Sequence, residues 1–186
     1  MQAGTGLKAQ HTIWLGLGAN LGDRAGQIHA ALDALTSDGR LQALESSSLW
    51  AGPYVGAGAR QAEYYNLCAR ATTNLAPRAL LDILHSIERS AGRPERSHSA
   101  PRVLDIDLLL FDTLCLEADG VILPHPRMRQ RRFVLAPMAE LDATLALPPD
   151  GTPLLDLLRS PEIAGQELRE VVEIQSWQPA AGESRN

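Results

Sequence analysis

The sequence predicts an α+β fold: a ferredoxin-like β-α-β-β-α-β core with an antiparallel sheet, both helices on one face and C-terminal elements covering the other. Three observations carry that prediction. Two stretches repeat apolar residues at helical spacing: Ile28, Ala31, Leu32 and Leu35, then Leu80, Leu81, Leu84, Ile87 and Ala91. Four strand-like runs flank them in the order strand, helix, strand, strand, helix, strand. The remaining third of the chain is then available to cover the sheet face that the two helices leave bare.

Taken in order, residues 1–10 read as a disordered lead, 11–176 as a single domain and 177–186 as a flexible tail. Residues 11–17 form a first strand, followed by a Gly- and Asn-rich turn at 18–23 in which Asp23 can cap the next helix. That helix spans 24–37 and stops at Asp38-Gly39. Residues 41–50 form a second strand with serines in its middle, and 51–60 a Gly-rich loop. The third strand is 63–73, and Pro77 sits in the first turn of a helix that Gly92 closes. A polar, basic loop at 93–101 leads into the fourth strand at 102–111. Beyond it, Asp119-Gly120 reads as a hairpin turn and Leu123 to Pro126 as a rigid bend. Residues 128–141 read as a helical region interrupted by Pro137, 152–160 as a short helix and 171–174 as a last strand.

Composition narrows the function classes. The chain has 186 residues, 45% of them hydrophobic, and a formal net charge of -5, which argues against nucleic-acid binding. Only 4% is aromatic, which counts further against an RNA-recognition sheet. Cys68 and Cys115 lie far apart, so neither a zinc spacing nor a disulfide framework is present. No secretory segment or spanning apolar run stands out, and a cytoplasmic monomer without membrane partners is expected. Lys8 is the single lysine, while Arg89, Arg93, Arg96, Arg102, Arg127, Arg129, Arg131 and Arg132 crowd one region. Arginine grips phosphate with a planar fork, so this crowding points to a polyphosphate, although a solvated salt-bridged face gives the same pattern.

The fourth strand holds the main chemical signal, two carboxylates on an apolar ribbon. Alternation puts Leu104, Ile106, Leu108 and Leu110 on the core face. It puts Val103, Asp105, Asp107, Leu109 and Phe111 on the other. Same-face neighbours lie about 6.6 Å apart, so both carboxylates reach one small volume. Mg²⁺ commonly takes one or two carboxylates plus substrate phosphates, which suits the pair. Spacing alone equally allows a strand end where both aspartates meet Arg102 and water. Other motifs are weaker. Gly16-Leu17-Gly18-Ala19-Asn20-Leu21-Gly22 departs from the dinucleotide fingerprint spacing, and no P-loop or nucleophile elbow occurs. His125, held between two prolines beside arginines, suits a phosphate contact or an ordinary surface turn.

Pro101-Arg102-x-x-Asp105-Ile106-Asp107-Leu108-Leu109 resembles the signature of the 6-hydroxymethyl-7,8-dihydropterin pyrophosphokinase family. Further segments resemble it in the same order: Gly18 to Asp23, Ser47-Ser48 through Gly52-Pro53, Tyr64-Tyr65-Asn66, Ile87-Glu88 with Gly92-Arg93, and Pro124-His125 with Arg131-x-Phe133-Val134-Leu135-x-Pro137. The resemblance implies transfer of pyrophosphate from ATP to the hydroxymethyl group of the reduced pterin in folate biosynthesis. It implies Asp105 and Asp107 as holders of two Mg²⁺ ions, with Arg93 and Arg102 beside them as catalytic cations. It implies Glu88, Arg93, His125 and Arg131 at the ATP, and Pro53, Val55, Tyr64, Asn66 and Phe133 at the pterin. Ser99-Ala100 depart from the family's usual Trp-Gly, and Tyr54 and Trp50 are the nearest aromatic residues that could stand in. A catalytically impaired nucleotide- or pterin-binding module of the same fold is the alternative reading.

Overall fold

Strand β1 (His11–Ala19) runs through the middle of the sheet, and its odd-numbered side chains Ile13, Leu15, Leu17 and Ala19 are buried. The structure is a computed structural model and describes residues 10–37, 39–55, 61–92, 102–172, 174, 177 and 178. Asp23 caps helix α1 (Arg24–Thr36) by accepting the Gly26 N–H at 3.0 Å, and the α1 face bearing Ile28, Ala31, Leu32 and Leu35 is buried. Next come β2 (Leu41–Ser46), β3 (Trp50–Gly52), β4 (Tyr64–Thr73), α2 (Pro77–Ser90) and β5 (Asp105–Phe111). The hairpin of β6 (Leu116–Ala118) and β7 (Val121–Leu123) turns at Asp119-Gly120, as the sequence predicts. A 3₁₀ turn (Met128–Gln130) and α3 (Arg132–Leu141) follow. The small ladder of β8 (Ala146–Leu147) and β9 (Thr152–Pro153), then α4 (Leu154–Arg159), α5 (Pro161–Ala164) and β10 (Arg169–Glu170), complete the described elements.

The main sheet has the order β10-β3-β4-β1-β5, with β2 also on β4, and every pairing is antiparallel. Two apolar layers share it. On one face, Leu15, Leu17, Leu67 and Ile106 pack with Ile28 and Leu32 of α1 and with Leu80 and Leu84 of α2. On the other, Trp14, Cys68 and Leu109 pack with Met128, Leu135, Met138, Leu154 and Ile163. Mixed helix and antiparallel sheet is what composition and periodicity predicted. Among the described residues no helix is long and apolar enough to cross a membrane.

Several expected boundaries are corrected. The strand expected over 102–111 begins at Asp105, and its alternation fails near its end. Leu15 faces Leu108 while Trp14 faces Leu110, so Leu109 is an extra residue in a β-bulge. The bulge moves Leu110 to the far layer and Phe111 to the helix layer, the reverse of strict alternation. The strand expected over 41–50 is two strands. Between them Ser47 takes the ladder position, donating N–H to the Cys68 carbonyl and accepting the Cys68 N–H on Oγ. Glu140 of α3 then accepts from the Ser48 N–H at 2.7 Å, Ser48 Oγ and Trp50 Nε1. In the segment 128–141 the break falls at Arg131, and Pro137 is buried inside a continuous α3. Helix α4 starts at Leu154, because Thr152 and Pro153 belong to β9, and the last strand is Arg169–Glu170, not 171–174. Trp177 is buried and its Nε1 donates to Asp33 Oδ1 at 2.8 Å, so the packed chain reaches at least that far.

Candidate active site

The C-terminal layer covers one half of the second sheet face, where Trp14, Cys68 and Leu109 lie. The other half carries the polar residues. Across β4, β1 and β5, Asn66 pairs with Gly18 and Gly18 pairs with Asp105, while Cys68 pairs with Gly16 and Gly16 with Asp107. Two glycines on the same face of the central strand therefore make a bare floor between an amide on one side and two carboxylates on the other. The clearance is small: a Cβ at Gly18 would come 3.0 Å from Asn66 Oδ1.

Arg102 and Asp105 form an ion pair at one end of the floor. Burial works against the Arg102 charge, and the adjacent Asp105 outweighs it, holding the guanidinium pKa above its ordinary value. At the other end Asp107 Oδ2 lies 3.7 Å from His125 Nε2 and 3.8 Å from Arg131 Nη1. Neither separation is a hydrogen bond, so the imidazole and the guanidinium stand back from the carboxylate instead of closing on it. Burial and the nearby Asp105 push the Asp107 carboxyl above its ordinary value, against the pull of His125, Arg131 and Arg102. Burial pushes the His125 imidazole down, which the attraction of Asp107 opposes and Arg131 and Arg127 reinforce. The site is thus an acidic pair under charge stress, ringed by guanidinium groups and one imidazole.

Each residue is set in place by an identifiable contact. The bulge at Leu109 leaves its carbonyl free of the β1 ladder, and the His125 N–H donates to it at 2.9 Å. Glu88, only 2% exposed on α2, accepts the Ile106 N–H at 2.9 Å, midway between the two aspartates. Asn20, past the end of β1, clamps the backbone of Arg102 twice: its N–H donates to the Arg102 carbonyl at 3.0 Å and its Oδ1 accepts the Arg102 N–H at 2.7 Å. Asn20 Nδ2 also donates to Gln61 Oε1 at 3.1 Å, and the Tyr64 hydroxyl donates to the same oxygen at 3.2 Å. Burial raises the Tyr64 pKa, with Arg102 opposing and Asp105 and Tyr54 adding to the shift.

Of the residues singled out from sequence, Arg102, Asp105, Asp107, His125 and Arg131 come together around one volume, with Tyr64 and Asn66 beside it. Phe133 opens α3 with the Arg131 guanidinium 5.4 Å from its ring centroid, and Pro53 and Val55 lie exposed past β3. Glu88 lies behind the strand. Arg93, Arg96 and Ser99-Ala100 lie outside the described residues. Sequence reasoning named Gly16, Gly18 and Asn20 only as parts of motifs and Arg127 only within the arginine cluster, gave none of them a place in the site, and did not name Gln61. The alternation of two glycines along a strand was the one available signal for a bare floor, and it was read as a dinucleotide-like motif and, from Gly18 on, as a family turn motif.

Among the described residues no group of three or more His, Cys, Asp or Glu is arranged to hold a metal alone. Two carboxylates on one face instead suit a hard divalent cation whose other ligands are water and substrate oxygens. The surrounding guanidinium groups suit those substrate oxygens being phosphates.

Comparison with known proteins agrees with that chemistry. The family model for 7,8-dihydro-6-hydroxymethylpterin-pyrophosphokinase (HPPK) matches residues 14–143. A 2-amino-4-hydroxy-6-hydroxymethyldihydropteridine pyrophosphokinase of Pseudomonas aeruginosa is 39% identical over 155 residues, covering 83% of this chain and 94% of that protein. The protein of the same description from Bacillus subtilis is 36% identical over 128 residues, covering 69% of this chain and 76% of it. A bifunctional protein FolKE of Lactococcus lactis is 33% identical over 130 residues, or 70% of this chain, and the match spans 37% of that longer protein. The fold is shared with the wild-type HPPK-DHPS of Plasmodium falciparum at a TM-score of 0.62 and 13% identity, over 82% of this chain and 42% of that one. The matched span contains every site side chain described above, and the chain belongs to the 7,8-dihydro-6-hydroxymethylpterin-pyrophosphokinase family.

Proposed function

We propose that the chain is an ATP-dependent pyrophosphokinase of folate biosynthesis, transferring the terminal pyrophosphoryl group of ATP to the hydroxymethyl oxygen of 6-hydroxymethyl-7,8-dihydropterin. The new bond forms between that oxygen and the β-phosphorus as the bridge to the α-phosphate breaks. AMP departs with the bridging oxygen, and the hydroxyl proton passes to water. The observation that carries the reading is the half-face of sheet on which Asp105 and Asp107 lie beside a glycine floor, with Asn66 across it and Arg102, His125 and Arg131 around it.

Asp105 and Asp107 hold two Mg²⁺ ions, which when bound supply charge neutralisation and Lewis acidity at the phosphates. His125 and Arg131, standing 3.7 and 3.8 Å from Asp107, are free to take phosphate oxygens without first breaking a hydrogen bond to the carboxylate. Arg102, placed by the Asn20 clamp, bears on charge that develops as the bridge opens. By the family resemblance Arg93 lies at the nucleotide, and Pro53, Val55, Tyr64, Asn66 and Phe133 at the pterin; Glu88, expected there too, is instead buried on the helix side of β5, where it accepts the Ile106 N–H. The Asn66 amide matches a donor-acceptor heterocycle edge, and the aromatic rings match its flat faces. We also assign the core to the ferredoxin-like class. The strand order β5-β1-β4-β2 and the packing of α1 and α2 on one face support it.

The test is direct. The purified chain is incubated with ATP, Mg²⁺ and 6-hydroxymethyl-7,8-dihydropterin, and AMP and the pterin diphosphate are measured. Equal formation of both is expected. Folded protein that binds both substrates and releases no AMP would sink the proposal.

A further inference from the structure

Just past β3, Tyr54 falls at none of the pterin positions that the family resemblance implies and was named only, with Trp50, as an aromatic residue that could stand in for the absent Trp. Its ring stacks on that of Tyr64, with centroids 6.0 Å apart and planes inclined at 28°. In register, Gly52 pairs with Tyr64. Continuing that register, residue 54 lies diagonal to Tyr64 on the same face, a separation that aromatic rings span. Tyr54 is half-buried, while its neighbours Pro53 and Val55 are exposed.

The two rings are braced from both sides. Tyr64 is fixed through its hydroxyl to Gln61, which Asn20 also holds. The end of β3 is fixed by the C-terminal chain: Ala51 pairs with Arg169, and Arg169 Nη2 bonds Glu63 Oε2 at 2.9 Å, next to Tyr64. At Gly52 the approach is so close that a Cβ would lie 3.1 Å from the Glu167 carbonyl oxygen. Trp50 is committed elsewhere, because its Nε1 donates to Glu140, and Tyr65, opposite Ala51, carries the Arg24 guanidinium on its ring.

We infer that Tyr54 is a specificity-determining residue which, with Tyr64, forms a two-ring aromatic wall that holds a flat bicyclic heteroaromatic substrate beside Asp105. The inference rests on the pterin reading of the site proposed above. A centroid separation of 6.0 Å is too small for a third ring to enter between the two, since that needs roughly 7 Å, twice the van der Waals contact distance of about 3.5 Å. The substrate therefore meets the pair from outside. Tyr54 acts by fixing the Tyr64 ring plane and by adding apolar area to the wall.

The test compares Tyr54→Ala, Tyr54→Leu and Tyr54→Phe with the wild type. Binding of 6-hydroxymethylpterin is followed by its fluorescence in the presence of Mg²⁺ and a non-hydrolysable ATP analogue, and KM is measured for each substrate. Tyr54→Ala and Tyr54→Leu are expected to weaken pterin binding about 3- to 10-fold, the scale of one aromatic pair, and to leave the KM for ATP in place. Tyr54→Phe is expected to restore the affinity, because the stack does not use the hydroxyl. Unchanged or tighter pterin binding in the folded Ala and Leu variants overturns the inference alone, as does equal weakening toward ATP. A wild-type chain that binds no pterin overturns the site reading and the inference with it.

Discussion

Asp107 is placed where folding and function disagree. In the ligand-free protein its carboxyl is pushed above the ordinary aspartate value of 3.8, by burial first and by Asp105 second. The native state therefore keeps a proton that the unfolded chain has already released, and stability falls as pH rises from 3.8 through the native value. Asp107→Asn removes this loss. Without Mg²⁺ the variant is expected to be more stable than wild type at pH 7, with the gap closing at pH 4 in paired urea melts. Turnover is expected to fall by at least about 10²-fold, the cost of losing one group that stabilises transition-state charge. A variant that is both active and no more stable would contradict both halves of the argument. Gly18 is a second position where one atom decides. A methyl there meets Asn66 Oδ1 at 3.0 Å and narrows the floor between the amide and Asp105. Gly18→Ala is expected to raise the KM for the pterin about 10-fold or more, with a smaller change for ATP. Steady-state kinetics with each substrate varied in turn separates the two.

Among the elements, α2 and β5 are joined by a buried hydrogen bond that holds the strand between the two site carboxylates. Among the described residues β5 is the end strand of its sheet, with no strand beside its outward N–H groups, and Glu88 accepts one of them at Ile106. Glu88→Ala leaves that donor buried without its acceptor and is expected to cost about 1–3 kcal/mol in chemical denaturation. Turnover should fall with it, because Asp105 and Asp107 flank the released peptide. Glu88→Gln keeps an acceptor and should recover most of the stability, and failure to recover would show that the carboxylate charge is what matters. The helices were legible because their apolar spacing is local: Ile28 to Leu35 and Leu80 to Leu84 bury as their periodicity says. The end of β5 was not, because Leu108 to Phe111 is apolar on both faces and an unbroken apolar run hides a one-residue register shift. The interruption between β2 and β3 was equally hidden, since its hydrogen bonds come from Glu140, far along the chain.

At the scale of the whole molecule, the sheet is a common wall with one layer of helices on each side, and the site is the part of the second face that the far layer leaves to polar residues. The carboxylates and arginines of that site stood out by type and spacing, since charge on an apolar strand needs a partner whatever the fold, but spacing alone left an ordinary strand end open and the ordered family motifs decided between the two. Its floor and its supports were not: Gly16, Gly18, Asn20 and Gln61 acquire meaning only once β4, β1 and β5 are set in register. A shared wall also makes a statement about stability. Leu84, fully buried, packs in the α1–α2 layer, and Leu135, fully buried, packs in the α3 layer. Each contacts a sheet whose other face supports the opposite layer, so neither layer can melt without exposing side chains of the other. Leu84→Ala and Leu135→Ala are each expected to cost about 2–5 kcal/mol. Each should displace one common transition, with far-ultraviolet circular dichroism and tryptophan fluorescence superimposing. Trp14 reports on the α3 layer and Trp177 on the α1–α2 layer, so fluorescence sees both sides at once. If Leu135→Ala instead shifts the fluorescence transition of Trp14 away from that of the backbone, the two layers fold as separate units and the sheet does not couple them.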